Sequence, residues 1–175
     1  MRNLSHLQLN RGFTLVELVI TIVLIGILSA VGSTMISDSF TTTRSVNSSQ
    51  GIAGQARYVI ERIGREIRET KYLSDKTYAI TPTSATKLIF TKSNDVTVTI
   101  NNSGANLTLG YSSPATTSTL TNQVGSFAVT YYDVSGAITN SNSAIRFVQI
   151  SLTLRDPTSG QSIAQRTRVA LRNGV

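Results

Sequence analysis

From Phe13 to Ile36 the chain is apolar apart from small and hydroxyl-bearing side chains and one carboxylate, Glu17, close to the start of the run. As a helix this stretch would be about 36 Å long, against roughly 30 Å of bilayer hydrocarbon, so the pattern predicts a membrane-spanning helix. A bare carboxylate at that depth costs at least ~2.5 kcal/mol, and Glu17 therefore needs a partner. Past Ser37 the spacing changes. Ile52, Ala56, Val59, Ile60, Ile63 and Ile67 recur every three or four residues, the stripe of an amphipathic helix lying on an apolar surface. On its other side Arg57, Glu61, Arg65 and Glu69 alternate in sign, and Arg62 with Glu66 adds a pair. Pairs of this kind contribute only ~0.2–0.5 kcal/mol each and define a solvated or subunit-facing side. Between Asp38 and Gly54 a concentration of Thr, Ser, Asn and Gly lowers helix propensity and predicts a frayed or bent segment rather than a domain boundary.

From Ser74 onward the periodicity becomes two. Leu88-Phe90, Val96-Val98-Ile100, Leu107-Leu109-Tyr111, Phe127-Val129-Tyr131 and Val148-Ile150-Leu152-Leu154 alternate with polar residues, as in half-buried antiparallel strands. Turn chemistry separates them at Ser93-Asn94-Asp95, Asn101 to Gly104, Ser112-Ser113-Pro114, Ser135-Gly136 and Asp156 to Gly160. The last of these predicts a hairpin between Ile145–Arg155 and Ser162–Arg172. One apolar sheet face and one isoleucine-rich helix face need each other, so the fold class is α+β: a long N-terminal helix packed on an antiparallel β-sheet head. The predicted divisions are 1–12 as a leader, 13–36 as a transmembrane helix, 37–73 as its amphipathic continuation and 74–175 as the β-rich head.

Composition fits an anchored globular chain. Hydrophobic residues make up 40% and charged residues 14% of 175, and the absence of cysteine leaves the core to hold the head without disulfides. Basic residues outnumber acidic ones, 16 to 9, for a net charge of +7. Arg2 and Arg11, with His6 as a further possible cation, precede the span and predict a cytoplasmic N-terminus with the bulk of the chain exported.

The segment Arg11-Gly12-Phe13-Thr14-Leu15-Val16-Glu17-Leu18 resembles the start of the type IV prepilins and pseudopilins, whose signature is a short basic leader ending in Gly, then Phe, Thr-Leu-Val/Ile-Glu and an apolar run. The likeness covers roughly residues 1–37. It implies a prepilin peptidase/methyltransferase that cuts between Gly12 and Phe13 and methylates the new Phe13 amine. Gly12 suits such a cut, because a residue without Cβ lets a protease approach the backbone closely. Cleavage would also supply Glu17 with an α-amine about one turn away, on the same chain or on a neighbour, which makes Glu17 an assembly-register residue. An uncleaved anchor, or a conventional signal with Leu18–Leu28 as its apolar region and a cut near Ala30 or Gly32, are the alternatives. The mature N-terminus distinguishes them: Phe13, Met1 or a residue near Val31.

Within the span Gly26, Ser29, Ala30 and Ser33 form one face of small side chains, which permits close helix approach in lipid. Gly26 and Ala30 are candidate helix-packing positions, against ordinary enrichment of small residues in spans. The runs Phe127 to Asp133, Val148 to Leu154 and Val169 to Asn173 look like the minor prepilins of the J-type pseudopilin class and the accessory prepilins of mannose-sensitive haemagglutinin pili. The resemblance implies a minor subunit that primes or assembles a type IV pilus or a type II secretion pseudopilus. Its implied partners are other pilin or pseudopilin subunits and the inner-membrane assembly platform. Its implied location is the bacterial inner membrane, single-pass with the head in the periplasm, and then the filament. A tip or surface module binding a receptor or DNA is the alternative.

Enzymatic chemistry has little to work with. His6 is the sole histidine and lies in the leader, so thiol nucleophiles, histidine triads and His/Cys metal sites are not available to a trimmed chain, and no cofactor or metal is expected. Asp95, Asp133 and Asp156 fall in or beside turns, where Asp bonds local backbone. Arg146, Arg155, Arg166, Arg168 and Arg172 cluster toward the C-terminus, and Arg166 and Arg168 would share one strand face as a nucleic-acid or subunit contact. Thin aromatic interleaving and the lack of a nucleic-acid motif argue against the former.

Overall fold

In the computed structural model residues 12–172 are described. Arg2, His6, Arg11 and Asn173 lie outside them. The elements run α1 (Leu15–Arg68), β1 (Ile80–Ser84), β2 (Lys87–Thr91), β3 (Thr97–Ser103), β4 (Asn106–Ser112), β5 (Ala115–Thr121), β6 (Val124–Tyr132), β7 (Phe147–Arg155) and β8 (Ser162–Ala170). The chain divides into two compact units, one ending at Arg44 and the other beginning at Ser45.

In the first unit every described residue of α1 is exposed except the half-buried Gly32. The most apolar window of α1 has mean hydropathy 2.6 and none of it is buried, so its length and composition suffice to cross a membrane. The hydroxyls in this stretch are satisfied internally. Thr21 donates to the Leu18 carbonyl at 2.8 Å, Ser33 to Ala30 at 2.9 Å and Thr34 to Val31 at 2.7 Å, which removes their cost in an apolar solvent. The predicted frayed segment is helical, and its hydroxyls are satisfied in the same way: Thr41 and Thr42 donate to the Asp38 carbonyl, Thr43 to Ser39, and in the second unit Ser49 to Ser45.

The second unit is built on the isoleucine stripe. Ile52, Ala56, Val59, Ile63 and Ile67 of α1 are buried in one core with inward residues of every strand except β5. The expected single sheet is two. Strands β1 to β5 form an antiparallel meander in chain order, and β6-β7-β8 form a separate antiparallel sheet. Strand β6 crosses the turn ends of the first sheet, where its Val124 N–H donates to the Ala105 carbonyl at 3.0 Å and its Val129 N–H to Ala85 at 2.8 Å. The hairpin β7–β8 pairs Val148 with Val169 through Leu154 with Ile163. At its turn Gly160 has φ +71°, which suits a residue without Cβ.

The helix ends at Arg68, short of the expected residue 73. Beyond it Thr70 bridges Lys92 and Tyr72 bridges Tyr78, while Lys71 N–H donates to the Thr91 carbonyl at 2.8 Å, so the chain leaves the helix to pair with strand-like segments. Strands β1 and β5 had no counterpart among the expected strands.

The charged side of α1 is not uniformly solvated. Glu66 is only 4% exposed and sits among three partners. Arg62 Nη2 lies 3.1 Å and Lys92 Nζ 3.0 Å from its carboxylate, and the Tyr111 hydroxyl donates to it at 2.8 Å. Burial by itself would push the Glu66 carboxyl up, but the Tyr111 hydrogen bond and the Lys92 and Arg62 charges hold it below its ordinary value. Lys92 also pairs with Glu69 at 2.7 Å. A second tie joins the helix to the hairpin turn: Ser48 donates to the Asp156 carboxylate and lies 2.9 Å from the Ser159 hydroxyl. The hydrogen bonds from Ser48, the Thr158 N–H and Ser159 hold Asp156 down to about 2.

Candidate processing and assembly site

The site begins where α1 begins. Thr14 precedes the first helical residue and acts as its N-cap: its Oγ1 accepts the Glu17 N–H at 3.2 Å. The Glu17 carboxylate reaches back and accepts the Thr14 N–H and hydroxyl, each at 3.5 Å. This is a capping box, in which cap and third residue satisfy each other's free donors. The negative charge also faces the positive end of the helix dipole. The spacing Thr-x-x-Glu before an apolar run carried that signal in the sequence, where Glu17 was read as a buried acid to be paired with the Phe13 amine and not as a capping residue.

Gly12 and Phe13 lie just outside the helix, and both are exposed, Phe13 at 75%. A Cβ built at Gly12 would meet no atom of the described residues within 4 Å, so among these residues nothing covers the Gly12-Phe13 junction. Gly26 and Ala30 are likewise exposed on the uncovered helix, and a Cβ at Gly26 meets nothing within 4 Å. Among the described residues of the first unit, nothing packs on that face.

The model of the prokaryotic N-terminal methylation motif matches residues 7–33, which spans the open junction, the capping box and the small-residue face. The chain is type IV prepilin-like. No curated protein matches the chain. The motif implies processing by a prepilin peptidase and assembly with other pilins, and with the uncovered apolar helix it marks a membrane-anchored protein. The helix-plus-antiparallel-sheet arrangement is that of the type IV pilin fold.

The other singled-out residues lie in the second unit. Arg166 and Arg168 both point outward from β8, two positions apart on one face, beside the exposed Arg155 at the end of β7. The Arg168 guanidinium lies 3.9 Å from the Tyr132 ring centroid and donates to Gln149 Oε1 at 3.2 Å. Arg146 is drawn away, donating to the Ser143 and Ile145 carbonyls. Of the turn aspartates, Asp133 accepts from Ser135 N–H and Ala137 N–H, and Asp156 from Thr158 N–H. Asp95 differs, pairing with Lys71 rather than with local backbone. Among the described residues no three His, Cys, Asp or Glu side chains group as metal ligands would.

Proposed function

We propose that this chain is a minor pilin or pseudopilin, a structural subunit for priming or assembly of a type IV pilus, of the mannose-sensitive haemagglutinin kind, or of a type II secretion pseudopilus. The observation that carries this reading is the match of the methylation motif across the exposed Gly12 and Phe13 and an apolar helix whose spanning window is unburied among the described residues. In this reading residues 1–12 are removed at the inner membrane, Phe13 becomes the methylated terminus, and residues 13–36 carry the subunit in lipid with its head in the periplasm until it enters the filament. Glu17 then meets the Phe13 amine of a neighbour and sets the axial stagger between subunits, while Gly26 and Ala30 allow the helices to approach.

Mass spectrometry of the native protein tests the first step, with Phe13, methylated, expected as the mature terminus. A chain that keeps Met1 while filaments form normally overturns the reading. Deleting the gene tests the second step: loss of filaments supports an assembly role. Normal filaments that lose adhesion would support the alternative, a tip or surface binding module, which the outward arginines on β7 and β8 favour.

A further inference from the structure

Strands β6, β7 and β8 contain no Asp or Glu at any position, and their three arginines, Arg155, Arg166 and Arg168, all stand on the outward face. The inward faces of β6 and β7 are buried against the core, so the outward face is the broad side of this sheet offered to a ligand. Arg166 and Arg168 are neighbours along one strand, about 7 Å apart, while Arg155 extends the row at the far end of the adjoining strand. Arg168 is preset: the Tyr132 ring supports its guanidinium from below and Gln149 holds its edge. Guanidinium is the group of choice for planar, two-pronged recognition of carboxylate, sulfate or phosphate.

We infer that the outward face of the β6-β7-β8 sheet, centred on Arg166 and Arg168, binds an acidic polysaccharide, a chain bearing regularly spaced carboxylate or sulfate groups. The remaining outward positions are mostly short neutral hydroxyls and an amide, Thr130, Ser151, Thr153 and Gln149, which match the hydroxyls of a sugar chain. Nucleic acid fits less well. Single strands are held by bases stacked on free aromatic faces, and of the two aromatics on this face the Tyr132 ring is covered by Arg168 and Phe147 beside it is half-buried. Duplexes are read by a helix or ribbon entering a groove, whereas this surface is the broad side of a sheet.

This inference rests on the proposal that the β-rich unit faces the cell exterior. Its test uses the full-length chain in detergent micelles, with affinity for alginate and heparin measured at rising salt, dextran as the neutral control and a duplex DNA as the competitor class. Expected is binding to at least one acidic polymer that weakens with salt, none to dextran, and a loss of about tenfold or more in the R166Q/R168Q variant. An R57Q/R65Q variant, which removes two exposed arginines from α1, should bind as wild type; thermal unfolding of that variant should match wild type, and the unfolding temperature of R166Q/R168Q should fall by no more than a few degrees, the loss of the exposed Arg168–Tyr132 contact. Absence of binding at low salt, an unaffected R166Q/R168Q variant, equal loss in the α1 variant, or tighter binding of the duplex would overturn the inference. Because the measurement needs neither cleavage nor filament entry, its failure leaves the assembly proposal standing, and failure of the assembly tests leaves this result intact.

Discussion

Thr14 and Glu17 hydrogen-bond each other in both directions across the first turn of α1, with the Glu17 N–H on Thr14 Oγ1 and the Thr14 N–H on the Glu17 carboxylate. Glu17 thus has a partner within its own chain, and the capping role and the register role can be separated by substitution. Glutamine can serve at the third position of a capping box, so Glu17→Gln keeps the cap and removes the charge. Thr14→Val removes the cap, at a cost of about 1 kcal/mol, and keeps the charge. If the charge sets the register, Glu17→Gln and Glu17→Ala should both insert into the membrane normally yet enter sheared filaments several-fold less, whereas Thr14→Val should be close to wild type. Quantifying each variant in membrane and filament fractions decides the matter, and normal incorporation of Glu17→Gln would rule out the register role.

Gly12 gives a cleaner test of processing than of folding. Its backbone is exposed and an added Cβ meets no atom within 4 Å, so Gly12→Val should leave the described structure unchanged. Its expected effect is on the protease alone: a chain that retains residues 1–12, seen as a mass larger than wild type in the membrane fraction. Full processing of this variant would show that close approach of the enzyme does not depend on a missing side chain at that position.

Glu66 should be among the costliest charged residues to replace. It is 4% exposed and shared by Arg62, Lys92 and Tyr111. Glu66→Leu leaves the largely buried Lys92 with only Glu69 and is expected to destabilise the second unit by about 3 kcal/mol, the scale of breaking one half of a buried pair. Arg57→Gln, on the exposed side of the same helix, should change stability by less than about 0.5 kcal/mol. The pH dependence has a definite sign. Because the folded Glu66 carboxyl lies below the ordinary value of 4.5, its contribution is present above that pH and lost as pH falls below it. Urea unfolding from pH 7 to pH 3 should show a smaller acid loss in Glu66→Leu than in wild type.

The same residue shows where the sequence was legible and where it was not. Period-three-to-four and period-two patterns located the isoleucine stripe of α1 and strands β2, β3, β4, β6 and β7, because each of these buries one face and the pattern records that burial, while β8 was located by the turn chemistry before it. Strand β5, Ala-Thr-Thr-Ser-Thr-Leu-Thr, has no such alternation: Thr116 and Ser118 lie on the side of Leu109 and Tyr111 but remain exposed, since nothing covers the sheet there. Strand β1 is a sheet edge carrying Pro82. Glu66 looked like half of a surface pair because its burying partners lie far along the chain, Lys92 just past β2 and Tyr111 in β4. The tie between Ser48 and Asp156 was hidden for the same reason. Of the candidate site, the Gly12-Phe13 junction and Glu17 were legible from a local motif. The preset geometry of Arg168 over Tyr132 was not, since it depends on the pairing of β6, β7 and β8.

Tyr131 offers a test of the core in the opposite direction. Its ring is buried in β6 and its hydroxyl is buried with no hydrogen-bond partner among the described residues. An unsatisfied buried hydroxyl costs roughly 1–3 kcal/mol, so Tyr131→Phe, which keeps the ring, should leave stability unchanged or raise it by about 1 kcal/mol. Burial also pushes the Tyr131 hydroxyl up from 10.0 to about 12. Between those values the unfolded chain loses the proton while the folded chain keeps it, so the wild type should lose stability as pH rises through that window. The phenylalanine variant lacks this component, and the stability difference between the two should widen in its favour from pH 10 upward in chemical unfolding. A variant less stable than wild type at neutral pH would mean that the hydroxyl has a partner after all.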